Sequence, residues 1–191
     1  TAVMVGTGIG AEMGILIKKS ESLEKAGQIT TVVLDKTGTI TRGQPAVTQV
    51  LLPGGIVDEN EIIRLVASVE QGSEHPLGDA ITAEATAREL SLSEPLGFKA
   101  IAGHGVQAEV DGKVVLVGNR RLMESQNIST VEIESEISTL EEQGQTAILA
   151  SVDQHLAAVI GVADTIKEGS LEAIEALHTM GLQVAMVTGD N

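Results

Sequence analysis

The sequence contains no cysteine, tryptophan or tyrosine, and a single phenylalanine, Phe98. Without cysteine the chain can form neither disulfide bonds nor thiolate metal sites, which is consistent with a reducing compartment. Since 42% of the residues are hydrophobic, aliphatic side chains must supply the core. A length of 191 residues fits one ordinary domain or two small ones.

Basic residues are also scarce, with 12 lysines and arginines against 27 aspartates and glutamates, for a net charge of −15. The imbalance is concentrated in residues 46–160, which carry six basic and eighteen acidic side chains. A surface of this charge repels phosphate backbones, so we expect no nucleic-acid partner. It suits a soluble, monomeric protein.

No apolar run is long enough to cross a membrane. The first residues are apolar, but Glu12 and several glycines interrupt them before Lys18, and a spanning helix needs roughly 20 apolar residues. We therefore expect that this chain is not itself inserted in a membrane. It starts without methionine and ends just after a strand-like run, so we expect a piece of a longer protein.

Two strand-like runs, the first of which we expect to be a buried strand, end in polar residues of the same kind. The run Thr31–Leu34 is followed by Asp35-Lys36-Thr37-Gly38-Thr39, and the run 184–187 by Thr188-Gly189-Asp190. Ligands of open α/β sheets bind at the carboxyl ends of the strands. Hydroxyls, backbone N–H groups and carboxylates at that edge can bind phosphate and Mg²⁺. From the residues alone, Asp35 is a nucleophile, a metal ligand or a turn residue.

Residues 46–161 have a different pattern. A strand over 46–52 precedes two amphipathic helices, the second of which has Ser73 as its expected N-cap. Asp111-Gly112 predicts a hairpin between two alternating strands. A helix over about 130–143 and a second hairpin follow. We predict an α+β insert between two α/β pieces, with divisions 1–45, 46–161 and 162–191.

Taken together, the motifs resemble the P-type ATPases. "DKTGTIT" is similar to the phosphorylation motif of that family, and "TGDN" to another of its motifs. "SEHPLG", "GHGV" and "VGNRRLM" resemble the nucleotide-binding domain of the heavy-metal-transporting subgroup. The segment "GTGIGAEMGILIK" is more similar to copper pumps than to zinc pumps.

The resemblance implies an incomplete phosphorylation domain with a haloacid-dehalogenase-like, Rossmann-type parallel sheet. Into it would be inserted an α+β nucleotide-binding domain on an antiparallel sheet. Asp35 would accept the γ-phosphate of ATP, Lys36 would face the phosphate, and Asp35 and the Thr37 carbonyl would bind Mg²⁺. Related phosphatases have a second aspartate where this chain has Thr37, so the acyl phosphate should be hydrolysed slowly.

The resemblance also implies a set of nucleotide-binding residues. They are Glu70, His75, Gly103, Gly105, Val106, Gly118, Asn119, Asp164, Thr188, Gly189 and Asp190. Each has a plainer interpretation as well: Glu70 as one more surface charge, Asn119 as a helix cap, and Asp164 as a helix entry. We expect His104, His155 and His178 to be surface groups, and Phe98 to belong to the core.

The implied function is ATP binding and phosphorylation in a copper(I)-transporting P-type ATPase. Its partners would be the transmembrane metal-binding domain and the actuator domain, and its location the cytoplasmic face of a bacterial plasma membrane. The family's later lysine and magnesium-binding segment are expected after Asn191, so this chain alone should bind ATP without being catalytically competent. The alternatives are a silver or zinc/cadmium pump, a stand-alone haloacid-dehalogenase-like phosphatase, and a noncatalytic ATP-sensing module.

Overall fold

The computed structural model describes residues 2–53, 58–73 and 75–187. The chain divides into two compact units, which we call unit 1 (Thr1–Ile40 with Ile166–Asn191) and unit 2 (Thr41–Thr165). The divisions predicted at 45/46 and 161/162 fall inside the two strands that begin and end unit 2. As domain boundaries they remain predictions.

The secondary structure alternates between helices and strands along the chain. The helices are α1 (Ala2–Glu12), α2 (Ser20–Ala26), α3 (Glu59–Glu70), α4 (Pro76–Ala87), α5 (Arg120–Ser125), α6 (Glu134–Glu142) and α7 (Ser170–Thr179). The strands are β1 (Thr31–Asp35), β2 (Thr41–Leu51), β3 (Leu96–Ile101), β4 (Gly105–Val110), β5 (Lys113–Gly118), β6 (Thr146–Val152), β7 (His155–Ile166) and β8 (Gln183–Val187). None of the described helices is both long and apolar enough to cross a membrane.

In unit 1, β1 and β8 form a parallel pair in which Asp35 lies opposite Val187. The predicted parallel pairing of these two strands, ending at one edge, is therefore confirmed. The expectation that β1 is buried was wrong, because its side chains alternate between exposed and half-buried and Val33 is 61% exposed. Among the described residues β1 has a single strand neighbour, so one edge of this strand has no strand partner there.

Unit 2 is built on a six-stranded sheet with the order β2-β7-β6-β5-β4-β3. The strands from β3 to β7 pair antiparallel, as the predicted hairpins require. Asp111 and Gly112 turn the first hairpin, both with positive φ, and Asp153 and Gln154 turn the second in the same way. Pro45 lies in β2, where an edge strand tolerates the missing N–H.

The sheet of unit 2 is covered by helices on both faces. Val115, Val117 and Ile148 belong to the cluster that includes α3 and α4. Leu116 and Leu149 belong to a second cluster with α5 and α6. Because successive strand residues point to opposite faces, the continuous apolar runs of β5, β6 and β7 follow from burial on both sides.

The caps of the first two helices in unit 2 follow different rules. Asp58 caps α3 by accepting a hydrogen bond from the N–H of Glu61, at 3.2 Å. The N-cap of α4 is His75, and the prediction of Ser73 was wrong. Pro76 is well suited to the first helical position, since its missing N–H has no partner there and its φ is already helical. The helix therefore starts at Pro76, directly after its cap His75.

Candidate functional site

A cleft of about 480 Å³ lies in unit 2 between the α3–α4 corner and strands β3 to β6. Its walls are formed by Glu70, Ser73, His75, Leu77, Gly78, Ala100, Ile101, Ala102, Gly103, His104, Gly105, Val106, Val117, Gly118, Asn119, Thr146, Ala147 and Ile148. The lining therefore includes every nucleotide-binding candidate predicted between residues 46 and 161. It is mostly apolar, and its described residues include no lysine or arginine.

Glu70 is the last residue of α3 and is only 8% exposed. Burial is the largest influence on its carboxyl and raises its pKa, while a hydrogen bond with Ser73 and the nearby His75 act in the opposite direction. Acidic side chains are seldom buried without a partner. The carboxylate is thus held in an environment where a ligand's hydrogen-bond donor would be favoured.

His75 is exposed at the start of α4. Its Nδ1 atom accepts a hydrogen bond from the N–H of Leu77 at 3.2 Å. A neutral imidazole carries one N–H, so the proton of His75 lies on Nε2, which can donate to a ligand. The helix cap therefore determines both the ring's tautomer and its position at the mouth of the cleft.

The three predicted glycines have different structural reasons. Gly105 and Gly118 lie opposite each other in β4 and β5. A Cβ at Gly105 would collide with the carbonyl of Val117, and one at Gly118 with the carbonyl of His104. Gly103 has open space around it but a φ of +70°, which favours glycine. Gly105 and Gly118 are therefore needed because their strands approach closely, and Gly103 because its backbone has a positive φ.

Asn119 joins the loop before β4 to the helix after β5. Its Nδ2 donates to the carbonyl of Gly103 at 2.9 Å, and its Oδ1 accepts from the N–H of Leu122 at 3.1 Å. Its backbone N–H also donates to the carbonyl of His104. Asn119 thus caps α5, as the plainer interpretation has it, while fixing the Gly103–Gly105 loop at the cleft.

Sequence reasoning missed several cleft residues. His104 was expected on the surface, but it is half-buried and lines the cleft. Its Nδ1 lies 2.8 Å from the carbonyl oxygen of Ala102, and since a carbonyl can only accept, Nε2 of the neutral ring is an acceptor. Gly78 and Thr146 were missed too, although Gly78 stands in the quoted "SEHPLG" motif.

Asp164 lies in β7, outside the residues that line the cleft. Its carboxylate accepts hydrogen bonds from the hydroxyl of Thr41 at 2.5 Å and from the N–H groups of Gly43 and Gln44. It therefore ties the start of β2 to β7, and its interpretation as a helix entry was wrong. A contact of Asp164 with the nucleotide remains a prediction.

The Asp35 loop belongs to unit 1. Asp35 is exposed at the end of β1, and Thr37 (φ −75°, ψ 122°) and Gly38 (φ 74°, ψ −7°) have the angles of a type II turn. Glycine is favoured at the second position, which explains Gly38. Lys167 donates from Nζ to the carbonyl of Gly38 and from its backbone N–H to the carbonyl of Ile40.

Three of the predicted residues, Thr188, Gly189 and Asp190, lie outside the described residues. Within the part of the chain that is described, no three His, Asp or Glu side chains are grouped as a metal site. A second cavity of about 680 Å³, bordered by Glu132, Glu136 and His155, contains none of the predicted residues.

Residues 29–191 match the haloacid-dehalogenase-like hydrolase family. The chain belongs to this family. Copper-exporting P-type ATPases of Staphylococcus aureus strains JH9 and USA300 are 46% identical to it across its whole length. The chain spans 23% of the length of these relatives.

Solved structures of P-type ATPases are similar to this chain as well. A zinc-transporting PIB-type ATPase in an E2.Pi state matches the whole chain, and 30% of its own, with a TM-score of 0.91 at 35% identity. The catalytic domain of a CPx-ATPase named CopB-B matches 92% of this chain and 60% of its own, with a TM-score of 0.62 at 26% identity. These likenesses confirm the resemblance to P-type ATPases and the predicted fold class.

Proposed function

We propose that this chain is the ATP-binding and phosphorylated region of a copper-exporting P-type ATPase. The observation that carries the proposal is the cleft of about 480 Å³ in unit 2, which is lined by Glu70, His75, the Gly103–Val106 loop, Gly118 and Asn119. These residues are distributed over nearly 50 positions of sequence, and the fold brings them together. The relatives at 46% identity support copper as the transported metal.

In this proposal the base of ATP enters the cleft between α4 and the sheet. The Glu70 carboxylate accepts from the adenine amino group, and the His75 ring contacts the base. The apolar walls from Ala100 to Ala102 and from Thr146 to Ile148 would shield the ring from water. Because the described lining holds no lysine or arginine, binding energy should come from the base more than from the phosphates.

The γ-phosphate is transferred to Asp35 in the intact pump. An Asp35 carboxylate oxygen forms a bond to the γ-phosphorus, and the bond from that phosphorus to the bridging oxygen breaks, leaving ADP with the electron pair. Lys36 would face the phosphate, and Thr188, Gly189, Asp190 and Asp164 would complete the site.

The donor set of the Asp35 loop suits Mg²⁺, which prefers oxygen ligands. The carboxylate of Asp35 and the carbonyl of Thr37 would hold the ion, and a further ligand would have to come from elsewhere. When bound, Mg²⁺ neutralises charge on the phosphoryl group. Thr37 presents no carboxylate to activate water, which favours a long-lived phosphoenzyme.

The remaining parts of the proposal concern the whole pump. The partners are its transmembrane metal-binding domain and its actuator domain, at the cytoplasmic face of a bacterial plasma membrane. The isolated chain would be a monomer that binds ATP. A zinc-transporting structural neighbour at 35% identity keeps zinc, cadmium and silver open as alternative cargo.

A second candidate is a stand-alone phosphatase, which the family match to hydrolases favours. The two functions differ in what they do to small phosphate monoesters. A phosphatase would release inorganic phosphate from them in an Asp35-dependent way, whereas a pump region would bind ATP without such release. A colorimetric phosphate assay on the purified chain and on Asp35→Asn separates them.

Titration of the ¹⁵N-labelled chain with ATP tests the binding site. We expect amide chemical-shift changes at His75, at Gly103–Val106 and at Gly118–Asn119. Shifts confined to the loops after β1 and β8 would contradict the assignment. AMP is the matched probe, because a base-centred site should give the same pattern without the outer phosphates.

A further inference from the structure

Glu70 and Gly78 approach each other where α3 and α4 meet. Gly78 is the third residue of α4 and is buried. A Cβ added to it would overlap Oε2 of Glu70, and would lie 3.2 Å from Cδ and 3.4 Å from Cβ of the same side chain. The space that a side chain at position 78 would need is thus occupied by the carboxyl group of Glu70.

Glycine inside a helix needs a reason, since it costs about 1 kcal/mol relative to alanine. Backbone conformation does not supply one, because Gly78 is absent from the described residues with positive φ. The three nearest atoms that the added Cβ would meet, apart from the neighbouring backbone of α4 itself, all belong to the side chain of Glu70. What an alanine at position 78 would displace is the far end of a flexible side chain.

Glu70 has a defined setting in this position. Its carboxyl hydrogen-bonds with Ser73, and the charged or titratable groups that act on it are His75 and Asp79. Both Glu70 and Gly78 line the cleft. Movement of the carboxylate would therefore change the cleft wall without requiring a change in the helices.

We propose that Gly78 is a positioning residue, whose missing side chain allows the Glu70 carboxylate to lie in the cleft wall where it accepts from the base. The inference rests on the proposed ATP site and adds a determinant of base recognition to it. An alanine at 78 should leave α4 intact and move the carboxylate, so the change acts through Glu70 alone.

The test is a double-mutant cycle on the 191-residue chain with Gly78→Ala, Glu70→Ala and the two combined. Isothermal titration with AMP and with ATP measures the affinities. We expect Gly78→Ala to weaken both about tenfold, or about 1.4 kcal/mol, since hydrogen bonds to charged groups are the stronger ones. In the Glu70→Ala background the same change should alter affinity less than twofold. Parent-like affinity of Gly78→Ala, or an equal loss in both backgrounds, would overturn the inference.

Ala83→Gly is the matched control, since residue 83 is exposed on the same helix. It changes helix propensity by about the same 1 kcal/mol in the opposite direction without altering the cleft. We expect parent-like affinity. If α4 stability determined the affinity, the two variants should change it in opposite directions; weaker binding in Ala83→Gly together with stronger binding in Gly78→Ala would refute the positioning role.

A readout without nucleotide separates this inference from the proposed function. Titration of the ¹³C-labelled Glu70 carboxyl by NMR should show its pKa moving down toward the ordinary value in Gly78→Ala, as the group becomes exposed. An unchanged titration would overturn the positioning role. If the parent chain fails to bind ATP while the titration shifts as expected, the proposed function fails and the geometric part of the inference holds.

Discussion

The two units bury their apolar side chains to very different degrees. In unit 2 the sheet is packed on both faces, with Ile63, Val66 and Ile160 fully buried. In the described part of unit 1, a single large apolar side chain, that of Ile40, is buried. Thirteen of the sixteen large hydrophobic residues that are exposed within the described ranges belong to unit 1, including Val33, Leu171 and Met186. Unit 2 has a core of its own, whereas unit 1 as described leaves much apolar surface exposed.

The contrast extends to the two candidate sites. The cleft of unit 2 is formed entirely by residues of that unit, and hydrogen bonds such as those of Asn119 fix its loops. The Asp35 loop of unit 1 is exposed at the edge of a two-stranded sheet. A site whose supporting groups are in place can bind, whereas an exposed nucleophile with few fixed groups around it should react slowly. We infer that binding and chemistry depend on different units.

The largest expected effect is on phosphorylation. We expect no acyl phosphate on Asp35 when the isolated chain is incubated with radiolabelled ATP and Mg²⁺, even if unit 2 binds ATP as proposed. The family resemblance assigns a lysine and a carboxylate to chain beyond this sequence, and each lost electrostatic contact typically costs on the order of 10²–10³ in rate. Acid-quenched gels provide the measurement, with Asp35→Asn as control. Radiolabel that appears on the parent chain and is absent from Asp35→Asn would show that unit 1 is catalytically competent, and would contradict this prediction.

The next effect is on stability. Leu65→Ala should lower the free energy of unfolding of unit 2 by about 3 kcal/mol, since Leu65 is 1% exposed and its loss leaves a cavity. Leu171→Ala is the matched change in unit 1, where the side chain is 64% exposed, and surface changes usually lie within about 0.5 kcal/mol. Urea unfolding followed by circular dichroism compares them. Equal losses would mean that Leu171 is packed as well as Leu65.

A smaller effect is expected on affinity. His75→Gln should weaken ATP, ADP and AMP together by about tenfold, or about 1.4 kcal/mol, because it removes the ring from the mouth of the cleft. The three nucleotides should stay within about tenfold of each other in the parent chain, since the described lining has no lysine or arginine. His178→Gln on α7 of unit 1 is the control. Strong selectivity for ATP over AMP would show that phosphate contacts dominate.

The smallest effect is on the pH dependence of stability. Burial raises the pKa of Glu70 above its ordinary value of 4.5, so the folded state binds the proton more tightly than the unfolded state. The resulting stabilisation is complete below the ordinary value and is lost as pH rises through the raised pKa. Glu70→Gln should therefore be more stable than the parent at neutral pH, and the difference should shrink in acid. Thermal melts of both proteins from pH 4 to pH 8 measure this difference in stability. A difference that does not change with pH would contradict burial of the Glu70 carboxylate as its cause.

Local patterns were enough to predict much of the fold. The Asp111-Gly112 turn, the amphipathic α3 and the strand before Asp35 were found from the sequence, because turn residues and apolar periodicity act over a few positions. The start of α4 was misplaced at Ser73, since His75 is an unusual cap. The strand β3 was missed, because its six residues are too few for a clear periodic pattern. The helix α5 was indicated only by the interpretation of Asn119 as a helix cap.

The candidate site was predicted in the same uneven way. Motif resemblance identified Glu70, His75 and the Gly103–Val106 loop, and the fold brings them to one cleft. The sequence motif did not show that the two glycines have different roles. Gly103 adopts a φ of +70°, whereas at Gly105 the backbone of β5 leaves no room for a side chain. His104 was assigned to the surface because its spacing from other histidines fits no metal site. Sequence spacing does not predict which residues line a cleft, since that depends on the fold.

By itself, the sequence determined the family, the α+β character of the middle and the residue types available for phosphate and base chemistry. These depend on local composition and short motifs. The tertiary structure decided that Glu70 is buried, that Gly78 makes room for its carboxylate, and that unit 2 packs both faces of its sheet while β1 stays half exposed. The physical reason is that burial and close approach are properties of pairs of residues distant in sequence, which no local pattern encodes.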